Sequence, residues 1–186
     1  MFMSKGAVLI AGALILVACT TTRPERLGLG REVTEADIVR WNIDASPDNG
    51  GLPPGRGGVA EGRKIYDRVC AVCHGGQGEG VPPSPRLAGG AGSLATAKPV
   101  QTIGSFWPYS VTVFDYVRRA MPFPDPGSLS DDQVYAVTAY LLHLNGIVPA
   151  DTDLDGPSLA AIRMPNRSGF IRDDRPDTGE FARSRE

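Results

Sequence analysis

Residues 70–74, Cys70-Ala71-Val72-Cys73-His74, are the stretch of sequence that decides the fold. The two cysteines are separated by two residues, so their thiols lie on one helical turn. At this spacing they can add to the two vinyl groups on one edge of a single porphyrin, and the adjacent histidine places its imidazole beneath the iron. The pattern is the attachment signature of c-type haem. It predicts Cys70 and Cys73 as thioether carriers, His74 as the proximal iron ligand, and one covalent haem c as the cofactor.

Three other interpretations of this motif fit less well. A thioredoxin-like redox pair belongs in a βαβ pattern, and the sequence shows no strand-period alternation. A zinc site needs further cysteine or histidine ligands, and outside the motif the sequence offers only His143 and Cys19. A disulfide between Cys70 and Cys73 would be strained and would leave His74 without a role. Haem attachment is the interpretation that uses all three residues.

Hydrophobic periodicity predicts three core helices. The first runs into the motif and carries an apolar face at helical spacing: Gly62, Ile65, Tyr66 and Val69. The second covers 113–120 and stops before a proline. The third begins at Ser130 and ends at Gly146, and we expect it to cross the first where Tyr140 meets Tyr66. Capping boxes are predicted at three places: Thr112 with Asp115, Ser130 with Gln133 and, in an N-terminal arm, Thr34 with Asp37.

Composition and charge restrict the architecture and the partners that the chain can have. Glycine (23) and proline (16) make up about a fifth of the 186 residues, which favours a small core wrapped by irregular segments. The formal net charge is −2, so no broad basic face indicates nucleic acid as a partner. We expect a lipoprotein signal peptide at 1–18, a tether and docking arm at 19–57, an all-α haem domain at 58–147 and an extended C-terminal tail at 148–186.

The N-terminus has the features of an export signal. Lys5 supplies a short positive region, and residues 7–17 form an apolar run that is too short to span a bilayer. The run ends in Leu16-Val17-Ala18-Cys19, which matches the lipobox of bacterial lipoproteins, and each buried methylene of an attached acyl chain contributes about 0.8 kcal/mol. We therefore predict a bacterial periplasmic protein anchored to a membrane by lipidated Cys19. A plain secretory signal with an incidental Cys19 is the alternative.

The opposite face of the haem needs a ligand from far along the chain. Met121 follows the second helix and precedes Pro122, in a loop that can point a thioether inward. Met164 precedes Pro165 in the same local pattern but lies beyond the last helix, and methionines commonly just fill a core. His143 lies on the last helix roughly 120° from its apolar stripe, so we expect it to face solvent. Met121 is the predicted distal ligand, with Met164, His143 and an open axial site as alternatives.

Four further residues are candidates for contacts around the haem. Pro85 begins a Pro-Arg-Leu segment that can present a backbone carbonyl to the N–H of the proximal imidazole and so fix its orientation. Arg86, Trp107 and Tyr109 carry donors that can reach the haem propionates. Ordinary loop and core roles are equally open for these residues.

Together these features resemble a class I cytochrome c, with an N-terminal helix, CxxCH, a Pro-x-Leu loop, a methionine loop and a C-terminal aromatic helix over 58–147. A narrower resemblance, to the cytochrome subunits of bacterial sulfite and sulfane dehydrogenases, rests on six segments: 28–31, 41–44, 51–55, 102–109, 120–123 and 135–142. In those sulfur-oxidising systems the cytochrome pairs with a molybdenum-cofactor subunit. The resemblance implies an all-α class I cytochrome c fold with long irregular extensions, Met121 as the distal ligand, and an arm and tail that lie on the partner subunit.

These observations lead to one functional expectation and three alternatives. A thioether ligand raises the potential and closes the second axial position, so we expect a non-enzymatic protein that transfers single electrons. We expect it to accept them from a molybdenum dehydrogenase subunit of the sulfite or sulfane type and to pass them to a downstream cytochrome or oxidase. The alternatives are a free lipid-anchored carrier serving a terminal oxidase, a haem enzyme or ligand sensor with an open axial site, and a non-haem lipoprotein module.

Overall fold

The computed structural model describes residues 28–47 and 50–171 of the chain. The predicted signal peptide and Cys19 lie outside these residues, so the lipidation site stays a prediction. In the described part, no helix combines the length and the apolar character that crossing a bilayer requires. The chain divides into two compact units, one ending at Asn42 and one starting at Ile43.

The first unit contains helix α1, Glu35–Trp41, and its capping box is the predicted one. The Thr34 side chain accepts from the backbone N–H of Asp37, and the Asp37 carboxylate accepts from the backbone N–H of Thr34 at 3.0 Å. Arg31 pairs with Asp37 at 2.6 Å. This pair, followed by the Thr34 hydrogen bonds, lowers the pKa of Asp37 well below its usual range. Polar residues close in sequence therefore fix the start of α1.

The second unit contains, in chain order, β1 Arg56–Gly58, α2 Val59–Val69, α3 Ala71–His74, α4 Ser110–Ala120, α5 Asp131–Leu144, β2 Asp153–Asp155 and α6 Gly156–Ala160. Helices α2 and α5 cross at Gly62, where a Cβ would lie 1.8 Å from the carbonyl oxygen of Ala136. Only glycine allows the two backbones to approach this closely. Beside the crossing, the ring centroids of Tyr66 and Tyr140 are 5.2 Å apart. The expected pairing of these helices is confirmed.

More of the surface of helix α5 is buried than the predicted apolar stripe. Its capping box of Ser130 and Gln133 is confirmed, but residues 134–142 are buried on every side of the helix. His143, expected to face solvent, is half-buried, and its Nδ1 lies 3.1 Å from the carbonyl oxygen of Val148. That expectation was wrong because the chain beyond α5 folds back over the end of the helix.

Helix α4 begins at Ser110, three residues before the predicted start. The predicted capping box of Thr112 and Asp115 is wrong, since both residues lie inside the helix. The Thr112 hydroxyl donates to the carbonyl of Tyr109 at 2.8 Å. The buried Asp115 carboxylate instead accepts from the backbone N–H of Ala45 at 2.9 Å. The carboxylate that the local pattern assigned to a helix cap therefore accepts a hydrogen bond from a residue that is distant in the sequence.

The segment that follows α5 joins the core over part of its length. Strands β1 and β2 pair antiparallel, with Arg56 opposite Asp155. The side chains of Leu154, Leu159 and Met164 are 3%, 0% and 1% exposed. The structure thus differs from the extended tail expected at 148–186. These apolar residues are five positions apart, a spacing that matches neither a helical nor a strand period.

Candidate haem site

The cysteines lie where α2 gives way to α3. The backbone N–H of Cys70 donates to the carbonyl of Tyr66 at 2.8 Å and so ends α2. Cys73 and His74 belong to α3, so the structure breaks the helix at Cys70, where the sequence predicts that it runs on into the motif. Both thiols are free, that of Cys70 half-buried and that of Cys73 exposed.

The imidazole of His74 is oriented by a backbone carbonyl. Its Nδ1 lies 2.9 Å from the carbonyl oxygen of Pro85. A carbonyl can only accept, so Nδ1 carries the proton and Nε2 keeps its lone pair for a metal. The donor set therefore fits a haem held through the two thiols, with Nε2 as the ligand atom. The role of His74 as iron ligand stays a prediction.

The backbone that follows His74 is fixed by two further hydrogen bonds, to the carbonyls of His74 and Gly75. The N–H of Gly80 donates to the His74 carbonyl at 2.8 Å. The buried Tyr66 hydroxyl donates to the carbonyl of Gly75, also at 2.8 Å. Sequence reasoning assigned Tyr66 to core packing alone, because its spacing in α2 reveals the face it lies on but not what its hydroxyl reaches.

Asn145 is a second residue that sequence reasoning missed. Its Nδ2 donates to the carbonyl of Leu87 at 3.1 Å, and its Oδ1 accepts from the N–H of Gly104 at 3.2 Å. This one amide ties the loop that carries Pro85 and the segment before α4 to the end of α5. In the sequence it precedes Gly146, where an asparagine is typical of a helix end.

The Cys70 thiol does not have the lowered pKa of a reactive redox cysteine. Burial, followed by the neighbouring Cys73, raises the pKa of Cys70 to about 11. Catalytic and redox-active cysteines have a lowered pKa instead. Within 28–47 and 50–171, no group of three or more His, Cys, Asp or Glu side chains could hold a metal ion. Neither the thioredoxin-like nor the zinc interpretation gains support from these contacts.

The three distal candidates lie in different environments. Met121 ends α4, where its N–H donates to the carbonyl of Val117 at 3.1 Å, and its side chain is half-buried. Met164 is 1% exposed and packs inside the hydrophobic core. His143 is half-buried at the end of α5, and its Nδ1 lies 3.1 Å from the carbonyl oxygen of Val148, a contact that leaves Nε2 free as it does in His74. Met121 has the thioether best able to face a haem, and its role as ligand stays a prediction.

The three residues predicted to contact the propionates each have a different partner in the structure. Arg86 is exposed and donates from Nε to a loop carbonyl at 3.3 Å. The half-buried Trp107 meets Tyr116 edge to face, with ring centroids 5.9 Å apart. The guanidinium of Arg167 lies 3.9 Å from the centroid of the Tyr109 ring. Contacts of Arg86, Trp107 and Tyr109 with the haem stay predictions.

Comparison with known proteins identifies the family and the fold of the chain. Residues 59–145 match the model of the family described as Cytochrome c. The chain is also similar to one in the crystal structure of the sulfane dehydrogenase SoxCD from Paracoccus pantotrophus. The two are 46% identical with a TM-score of 0.76, and the match covers 87% of this chain and 79% of that one. The predicted class I cytochrome c fold is confirmed by these two findings.

Two curated relatives are similar over a shorter span. Thiosulfate dehydrogenase of Psychrobacter arcticus is 30% identical over 109 residues, and thiosulfate dehydrogenase of Stutzerimonas stutzeri is 34% identical over 97 residues. These alignments cover 52% and 48% of this chain but only 29% of the length of each relative. With the motif, the fold and these relatives in agreement, the chain belongs to the cytochrome c family, whose cofactor is a covalently attached haem c.

Proposed function

We propose that this chain is a monohaem electron-transfer subunit that docks on a dehydrogenase of a bacterial sulfur-oxidising system. The observation that carries the proposal is the proximal arrangement. Cys70 and Cys73 lie beside His74, whose Nδ1 is 2.9 Å from the carbonyl of Pro85 and whose Nε2 is left to bind iron. This hydrogen bond keeps the imidazole in one orientation. A histidine held in this way is suited to remain an iron ligand in both oxidation states of the iron.

In this proposal Cys70 and Cys73 form the thioether bonds and Nε2 of His74 binds the iron. When bound, the haem supplies a centre that gains and loses one electron at a time. Pro85 keeps the imidazole in one tautomer and makes Nε2 a stronger donor. Met121 would hold the iron through a soft thioether, which would favour the ferrous state. With His74 and Met121 both bound, the iron would offer no site to oxygen or peroxide, so we expect electron transfer without catalysis.

The haem assignment is tested on holoprotein from a host competent in haem attachment. A pyridine haemochrome assay is expected to give one haem per chain, and a colourless protein would overturn the assignment. The oxidised protein is expected to show the weak far-red band that reports methionine–iron bonding. Absence of that band, together with rapid carbon monoxide binding to the reduced form, would favour the sensor or enzyme with an open axial site.

A stable partner is supported by apolar side chains exposed on both extensions. In α1, Val39 and Trp41 are 70% and 84% exposed, and near the C-terminus Ile171 is 95% exposed. A free carrier needs neither extension, whereas a docked subunit can bury these side chains on its partner. The similar SoxCD chain comes from a sulfane dehydrogenase. We therefore propose a molybdenum-cofactor dehydrogenase subunit as electron donor and a downstream cytochrome or oxidase as acceptor.

The partnership is tested by co-purification of the tagged full chain from its native host at physiological salt. We expect a dehydrogenase subunit to be recovered with the wild type and lost with the Val39→Ser, Trp41→Ser double variant, whose visible spectrum stays unchanged. Glu35→Gln, on the same exposed helix, serves as the matched control and is expected to retain the partner. Recovery of the wild-type protein alone would favour the free carrier.

The proposed location is the periplasm, with Cys19 anchored in a membrane. Its support is the export signal and lipobox of the first 19 residues. Metabolic labelling with a fatty acid is expected to mark the wild type in the membrane fraction, whereas Cys19→Ser is unlabelled. Thr22→Ser is the control and keeps the label. An unlabelled, fully exported wild type would indicate a plain secretory signal.

A further inference from the structure

A cavity of about 530 Å³ lies in the second unit, and none of Cys70, Cys73, His74 and Met121 lines it. Its lining comes from the segment before β1, the first residues of α4 and the chain that follows α6. Arg163, Arg167, Tyr109 and Ser168 provide polar groups in this lining. No cysteine, histidine or methionine is among the described residues that line it, so the cavity has a different chemistry from the haem site.

The segment that carries both arginines is held firmly. Met164, beside Arg163, is 1% exposed in the core. Nδ2 of Asn166 donates to the carbonyl of Phe106 at 2.8 Å. The Arg167 guanidinium stacks on the Tyr109 ring at 3.9 Å, a cation–π contact that fixes the group without neutralising its charge. Two positive side chains are therefore presented to one cavity from an anchored backbone.

These positive charges have no carboxylate partner within the described chain. Among the described residues that line the cavity there is no aspartate or glutamate. Neither Arg163 nor Arg167 forms an ion pair with the residues of 28–47 and 50–171. Arg118 of α4, by contrast, pairs with Asp131 at 3.0 Å. Asp48, close to the cavity in sequence, lies outside the described residues. The cavity thus offers positive charge that a ligand can neutralise.

We propose that this cavity binds a small divalent oxyanion. Guanidinium groups bind such anions through paired N–H donors. Leu52 and Ile162 line the same cavity, whereas Arg163 and Arg167 are exposed, so a bound anion would keep part of its contact with water. The uncapped N-terminus of α4 adds a partial positive charge at Tyr109. The volume also leaves room for ordered waters, each occupying about 30 Å³.

The cavity and the contact of Trp107 lie on different faces of α4. Val111, which lines the cavity, is one turn from Asp115, which bonds to Ala45. Trp107 packs instead on Tyr116, which is about 100° further round the helix than Asp115. Tyr109, another predicted propionate contact, does line the cavity, so the test below uses the holoprotein to distinguish a free oxyanion from a propionate. The proposal stands independently of the partner proposed above.

The test is calorimetric titration of the full-length holoprotein, in which the propionates are already in place. Sulfate, phosphate and succinate are the probes, at an ionic strength held constant with sodium chloride. We expect saturable binding of sulfate or phosphate. Arg163→Gln and Arg167→Gln are each expected to weaken binding about tenfold or more, the size of one charge-assisted hydrogen bond. Arg63→Gln removes an exposed positive charge from α2 and is expected to bind as the wild type does.

The outcomes separate the site from general charge effects and from unfolding. Preference for sulfate or phosphate over succinate supports a tetrahedral oxyanion, and preference for succinate overturns that class. Failure of the wild type to bind saturably, or an equal loss in Arg63→Gln, overturns the site. Each variant must keep the wild-type visible spectrum and melting temperature. Arg167→Lys provides a second test, since it keeps the charge but loses the paired N–H donors, and wild-type affinity in it would overturn the guanidinium contact.

Discussion

The proximal and distal sides of the proposed haem site are held in different ways. On the proximal side, Nδ1 of His74 lies 2.9 Å from the Pro85 carbonyl, and the Tyr66 hydroxyl lies 2.8 Å from the Gly75 carbonyl. On the distal side, the backbone of Met121 makes the 3.1 Å hydrogen bond that ends α4, and its side chain is half-buried. Among the described residues, the chain therefore orients the His74 imidazole through a hydrogen bond to its side chain, whereas at Met121 it is the backbone that is held.

The two sides are joined through α5. The proximal side follows α2, which crosses α5 at Gly62. The distal side follows α4, whose Phe114 ring packs on Tyr135 of α5 with centroids 4.5 Å apart. A substitution at the helix crossing should therefore disturb both sides. Substitutions within one side should differ in whether they change the stability, the visible spectrum or the reduction potential.

The largest effect is expected from Gly62→Ala. The new Cβ would lie 1.8 Å from the Ala136 carbonyl oxygen, so the helices must separate, and we expect a loss of at least about 3 kcal/mol in the free energy of unfolding. Gly76→Ala adds the same methyl group where no atom lies within 4 Å and serves as the control. Chemical denaturation of both holoproteins checks this. Equal stability of the two variants would show that the crossing does not support the site.

The next largest effects separate Met164 from Met121. Met164→Ala leaves a cavity in the core, and we expect the free energy of unfolding to fall by about 3 kcal/mol while the methionine–iron band persists. Met121→Ala should abolish that band and lower the reduction potential by on the order of 0.1 V, a fraction of the roughly 0.8 V range that axial ligands span. Visible spectroscopy, potentiometry and denaturation measure the three quantities. Loss of the band in Met164→Ala would move the distal assignment to that residue.

Sequence reasoning succeeded where neighbouring residues decide the structure. The caps at Thr34 and Ser130 follow from four-residue patterns. The carbonyl of Pro85 lies within hydrogen-bond distance of His74, 11 residues away, because a short loop limits where the chain can return. The class of fold follows from one motif at the end of one amphipathic helix.

Sequence reasoning failed where the contact that determines the structure joins residues far apart in the chain. Asp115 has the spacing of a cap residue, but its carboxylate bonds to Ala45, 70 residues away. Leu159 and Met164 show no period, yet both are buried in the core. The amide of Asn145 bonds to Leu87, 58 residues away, which no local pattern indicates. The ligand roles, in turn, require the haem and so remain for experiment.

A smaller effect is expected from Tyr66→Phe on the proximal side. Burial, followed by Cys70, raises the pKa of Tyr66 above its usual range, so the hydroxyl remains a donor to Gly75. Within the described residues, its loss leaves the buried Gly75 carbonyl with only the 3.3 Å hydrogen bond from the N–H of Gly78, and we expect denaturation to show a loss of about 1 kcal/mol in the free energy of unfolding. Tyr140→Phe removes a hydroxyl with no hydrogen bond to the described residues and should cost less. Equal losses would mean that ring packing, not the Gly75 contact, is what matters.

The smallest effect is expected from Glu79→Gln. The pH dependence of its melting temperature identifies the cause of the effect. The Glu79 carboxylate accepts from its own backbone N–H and from that of Gln77, and these bonds lower its pKa from 4.5. A depressed folded-state pKa stabilises the fold above the unfolded value, and this contribution is lost as pH falls through the lower folded value. The melting temperature of the variant should therefore lie slightly below that of the wild type at neutral pH and converge with it well below pH 4.5. A difference that persists unchanged in acid would mean that the Glu79 side chain stabilises the loop after α3 by packing, since those two N–H groups bind the charged carboxylate more strongly than its protonated form.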